Sequence, residues 1–75
     1  MKELLLYIAR NLVDDPEQVV VNEIEKADET VFELHVAPGD MGKVIGRQGR
    51  IAKAIRTVIH SASARDAKKV VVDII

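Results

Sequence analysis

Residues 44–51 read Val44-Ile45-Gly46-Arg47-Gln48-Gly49-Arg50-Ile51. Two glycines three apart enclose a basic and a polar residue, with apolar residues on both sides. Gly46 and Gly49 allow the backbone to approach a ligand with no Cβ in the way. Arg47 and Arg50 bring positive charge to the same point. Downstream, Ile51, Ile55, Val58 and Ile59 recur at helical spacing. The loop is therefore expected to open onto a helix N-terminus, whose free N–H groups and positive dipole end favour an anion. A phosphate suits such a place.

Working outward, the following helix is expected from about residue 50 to 64. Its apolar stripe is Ile51, Ala54, Ile55, Val58, Ile59 and Ala62, and its other face carries Lys53, Arg56, Thr57 and His60. Before the loop, Pro38-Gly39 breaks the chain and Asp40 is expected to cap a short helix over residues 41–45. Lys43 lies one turn ahead of the loop. Residues 30–37 alternate, with Phe32, Leu34 and Val36 on one face and Val31, Glu33 and the surface histidine His35 on the other. That pattern predicts a half-buried strand paired in a hairpin with residues 18–26 across the turn Ala27-Asp28-Glu29. Residues 68–75 are strongly β-branched and read as a last strand. At the start, Leu5, Ile8 and Leu12 form one stripe of a helix over about 3–13, ended by Asp14-Asp15-Pro16. Leu4, Leu6 and Val13 make that helix greasier than a single stripe needs. A wide core face is the simpler explanation and a partner surface the other.

A chain of 75 residues is one domain, 1–75. At this size only about 60% of the unfolded surface is buried, so oligomerisation is an expected source of added stability. There is no cysteine, and neither His35 nor His60 has the neighbours of a metal ligand. No cofactor is expected. The first residues do not resemble a signal peptide and no apolar run is long enough to span a bilayer, so a cytoplasmic protein is expected. The net charge of −1 conceals an asymmetry. Residues 1–40 hold three bases against ten acids, a net −7, whereas residues 41–75 hold eight bases against two acids, a net +6. One face is thus suited to a polyanion, although a merely solvated charged face gives the same count.

Two phosphate-loop motifs fail on spacing. The ATPase loop needs a glycine followed by Lys-Ser or Lys-Thr, and Gly42-Lys43-Val44 does not supply it. The dinucleotide fingerprint Gly-x-G-x-x-Gly is not met by Gly39, Gly42, Gly46 and Gly49. A bare Gly-x-x-Gly is weak and could be a tight turn between helices. Here it sits as Val-Ile-Gly-x-x-Gly-x-Ile between two helices, in the order α-β-β-α-α-β. The whole chain resembles a type II KH domain, and within that class the small bacterial single-domain RNA-binding KhpA family. The resemblance implies an α+β fold with a three-stranded sheet packed by helices on one face. It also implies that Gly46, Arg47, Gln48 and Gly49 clamp the backbone of about four unpaired nucleotides. Val44 and Ile45, with Ile51 and Ile55, then pack the two helices and edge the groove. Homodimers, pairing with a larger KH-containing protein (KhpB, also called Jag), and a regulatory or RNA-chaperone role are implied in the same way.

The residues support this reading on their own terms. Lys43, Arg47, Arg50, Lys53 and Arg56 cluster on and around the loop, with no acid between Met41 and Arg65. If three or four displace counterions from a single strand, log affinity falls against log salt with a slope of roughly −2 to −3. The resemblance and this basic cluster together give the expected RNA-binding residues as Lys43, Val44, Ile45, Gly46, Arg47, Gln48, Gly49, Arg50, Lys53 and Arg56. Tyr7 and Phe32 are the only aromatics and neither is near the loop, so no stacking platform is expected and one copy should bind weakly. An enzyme is not expected: His60, Ser61 and Ser63 on one helix do not form an oriented triad, and the acids Glu23, Glu25, Glu29 and Glu33 read as the acidic face of a hairpin. The competing reading is a protein-interaction adaptor whose KH fold serves mainly dimerisation.

Overall fold

The structure is a computed structural model that describes all residues from Met1 to Ile75. Helix α1 (Lys2–Leu12) has Glu3 in its first turn and Arg10 in its last, the polarity its dipole favours. Val13 leaves in extended conformation, and Pro16, with no N–H to give, begins a single 3-10 turn that leads into the sheet. Strands β1 (Val20–Glu25) and β2 (Glu29–His35) pair antiparallel, with Val21 opposite Leu34 and Ile24 opposite Val31. Strand β3 (Lys69–Ile74) pairs parallel to β2, with Phe32 beside Val72. A parallel neighbour requires a crossover, and helices α2 (Met41–Ile45) and α3 (Arg50–Ala62) provide it. The element order is the expected one; β1, β3 and α3 are shorter than anticipated by one to a few residues at their ends, and β2 starts one residue earlier and ends two earlier. The molecule is α+β, a three-stranded mixed sheet with helices packed on one face.

One face of the sheet meets the helices. Leu5 and Ala9 from α1 and Ile55 and Ile59 from α3 pack on Val21, Phe32, Leu34, Val70 and Val72. The helix faces are rotated slightly from those expected. In α1 the fully buried axis is Leu5–Ala9, with Ile8 and Leu12 only half-buried. In α3 it is Ala52, Ile55 and Ile59, while Ala54, Val58 and Ala62 are exposed. Ser63 is buried in place of Ala62, its hydroxyl donating to the His60 carbonyl at 3.3 Å. Leu4, Leu6 and Val13 are partly buried against the core, so a wide core face accounts for much of the grease on α1.

The hairpin acids do not share a face. Pairing places Glu23 opposite Phe32 and Glu25 opposite Thr30 on the helix side, whereas Glu33 lies with Asn22 on the open side. Strand alternation forces this, because Glu23 and Glu33 sit at opposite parity of one register. Glu25 accepts from the Thr30 hydroxyl at 3.1 Å and from Lys68 Nζ at 2.8 Å. Lys68, then Thr30, hold its carboxyl below the ordinary glutamate range.

Candidate nucleic-acid interface

The loop gets its shape from three residues with positive φ. Gly46 (φ 76°, ψ 174°) ends α2 in a conformation open essentially to glycine alone. A Cβ on Gly46 would lie 2.6 Å from Ile51 Cγ1 and 2.9 Å from Ile51 Cβ. Gly46 is therefore required by packing as well as by backbone. Gln48 (φ 58°) and Gly49 (φ 73°) are both left-handed, and they swing the chain back into α3. A Cβ on Gly49 would meet nothing within 4 Å, so the ground beside it is free for a ligand. The Gly49 N–H donates to the Gly46 carbonyl at 3.2 Å, closing the turn.

Around this turn the side chains are exposed. Arg47, Gln48, Arg50 and Lys53 all face solvent. Arg50 Nη2 donates to Gln48 Oε1 at 3.2 Å, which braces the tip. Arg47, Arg50 and Lys53 take part in none of the four ion pairs of the chain. No side chain caps the N-terminus of α3, so its positive dipole end is left without a charged partner beside the loop. Three unpaired cations, an open glycine and a helix start form an anion-attracting ridge.

Three of the expected site residues are engaged within the fold. Val44 is fully buried within the fold, while Ile45 remains 37% exposed at the edge of the loop. Lys43 pairs with Asp14 at 3.1 Å and Asp40 at 3.5 Å. Asp14 holds the Lys43 ammonium above the usual lysine range. Asp40 itself does not cap α2 with its side chain. Its buried carboxylate turns instead to the start of the α1–β1 connection, accepting from the N–H of Asp14 at 3.2 Å and of Asp15 at 3.0 Å. Burial raises its pKa, and the bonds from Asp15 and Asp14, helped by Lys43, outweigh that and bring it below the ordinary aspartate value. Lys43 and Asp40 thus form a clasp tying the α1–β1 turn to α2. Arg56 is exposed, but its Nε donates to the Val72 carbonyl of β3 at 3.1 Å.

Beside the loop, α1 and α3 leave an apolar groove of about 480 Å³. Leu4, Tyr7, Ile8 and Leu12 line one wall, Ile51, Ala54, Ile55 and Val58 the other, and Arg50 stands at the rim. This feature was missed by the sequence pattern, although the surplus apolar residues of α1 were its signal.

The sequence profile described as "KhpA/KhpB, KH domain" matches residues 2–74. The chain belongs to this family. Its relatives include a protein of Clostridium perfringens named RNA-binding protein KhpA, 60% identical over the full length of both chains. A protein of the same name from Clostridium acetobutylicum is 59% identical, again over both full lengths. Another from Chlamydia trachomatis is 50% identical over 99% of this chain and 95% of its own. No solved structure matches the chain significantly. No helix is long and apolar enough to cross a membrane.

Proposed function

We propose that this chain binds single-stranded RNA by seating the sugar-phosphate backbone on Gly46–Gly49, with Arg47, Arg50 and Lys53 neutralising phosphates. The observation that carries this reading is the open ground beside Gly49, ringed by cations that no acid engages. The names of the KhpA relatives support it. Gly46, Gln48 and the exposed Ile45 complete the loop contact, whereas Lys43 and Val44 support it from behind. Backbone contacts from a loop with no aromatic platform give a modest hold per copy. Such a hold suits a regulatory or RNA-chaperone role, in which strands are gripped and released.

The groove between α1 and α3 favours a dimer. Its walls are apolar apart from Arg50, and exposed Tyr7 and Val58 form its lips. A second copy seated there would bury both and set two loops to act on one strand, raising the effective concentration of the second contact. A larger KH-containing partner of KhpB type would use the same face in place of the second copy. The test is amide NMR of the isotope-labelled chain titrated with a random single-stranded RNA. Shifts centred on residues 46–50 are expected, and shifts confined to α1 with an unmoved loop would overturn the loop reading. Sedimentation would follow the dimer, with Val58→Asp expected to give a folded monomer and an unchanged mass contradicting the groove assignment.

A further inference from the structure

Strand β3 lies at the edge of the sheet, and its register decides which backbone groups are already paired. The Lys69 N–H donates to the Asp28 carbonyl at 3.3 Å and the Ile75 N–H to the Leu34 carbonyl at 3.0 Å. Alternation along the strand therefore turns the peptide groups of Val70, Val72 and Ile74 to the outer edge. Arg56 reaches this edge from α3, where its Nε meets the Val72 carbonyl. That bond uses one of the five N–H donors of the guanidinium. The four on Nη1 and Nη2 remain, held in a planar fork at a fixed place rather than swinging on a free stem.

The position of this fork relative to the loop gives it a use. Arg56 lies about 9 Å along the helix axis from Arg50. Lys53 and His60 flank it by one turn on the same exposed face. To reach Arg56, the nucleotides next to those held at the loop would run along this shoulder of α3, beside the edge of β3.

We propose that Arg56, set by the Val72 carbonyl, reads a guanine in the bound strand. The inference rests on the RNA-binding reading of the loop. A guanidinium fork matches the paired acceptors O6 and N7 of guanine, whereas adenine offers a donor where guanine has O6 and the pyrimidines lack N7. Lysine would keep the charge and lose the fork. If Arg56 merely shields the edge of β3 from other strands, base identity will not matter.

The experiment is fluorescence anisotropy with four oligouridine RNAs that differ only in carrying A, C, G or U at one internal position. A fifth carries 7-deazaguanosine, which has a C–H in place of N7. For the wild-type protein the guanine RNA is expected to bind about tenfold tighter than the others, and the 7-deaza RNA to lose most of that gain. Arg56→Lys is expected to bind all four bases with affinities within about twofold of one another. Equal binding of all bases by the wild type, full retention of affinity by 7-deazaguanosine, or guanine preference persisting in Arg56→Lys overturns the inference and leaves the loop reading standing. Should the variant fail to fold, the 7-deaza comparison on the wild type decides alone. No binding of any RNA by folded wild type overturns the loop reading itself, and this inference with it.

Discussion

At one end of α2 the Asp40 carboxylate accepts two backbone N–H groups and pairs with Lys43, which also holds Asp14. At the other end Arg47, Gln48 and Arg50 face solvent, and neither arginine forms an ion pair. Both ends are polar, charged and next to a glycine in sequence. The first is satisfied internally and holds the fold; at the second, one Arg50–Gln48 hydrogen bond braces the tip and no acid meets either charge. Charge count alone does not separate these roles. What separates them is whether the chain already supplies each group's partner.

The two glycines sharpen the contrast first, because the largest stability effect is expected there. Gly46→Ala should destabilise the domain by about 3 kcal/mol, from a glycine-only conformation plus overlap with Ile51. Gly49→Ala should cost about 1 kcal/mol, since only its left-handed φ opposes a Cβ. Urea melts of both variants check the ranking, and equal losses would break it.

Next comes the clasp. Asp40→Asn should lower the melting temperature by several degrees, because its amide meets the Asp14 and Asp15 N–H groups with one acceptor oxygen and no charge. The folded pKa of Asp40 lies below its unfolded value, so its contribution is present above the ordinary aspartate pKa and lost as pH falls through the depressed one. Wild type should therefore lose its advantage over Asp40→Asn below about pH 4. Thermal melts between neutral pH and acid follow this, and a constant difference would count against the clasp.

The smallest effect concerns the cations. Three unpaired bases predict a slope of log affinity against log salt of about −2 for single-stranded RNA. Arg47→Met should make that slope shallower by about 0.7, whereas Lys43→Met should leave it unchanged because Lys43 is engaged by Asp14 and Asp40. Titrations at several salt concentrations distinguish them, and equal changes would erase the difference between the two ends of α2.

Much of this molecule was legible from its sequence because the relevant signals are local. Alternation marked β2, helical spacing marked α3, and Gly46 and Gly49 marked the turn between helices. The rotation of the helix faces was not legible: Ala9 and Ala52 are buried because α1 and α3 meet the sheet at those points, which no single-helix pattern encodes. The engagement of Lys43 depends on Asp14, far away in sequence and brought near by the α1–β1 turn. Arg56 found its partner in a backbone carbonyl, which leaves no mark on residue identity. The groove between α1 and α3 was half legible, as surplus apolar residues without a stated place to pack.

The most direct measurement is anisotropy of a labelled random single-stranded RNA titrated with wild type and with Arg47→Asp/Gln48→Asp, at two salt concentrations, with circular dichroism establishing that both are folded. Salt-sensitive binding by wild type and its loss in the folded double variant are the predicted result. Binding retained by the folded double variant would contradict the assignment of the loop.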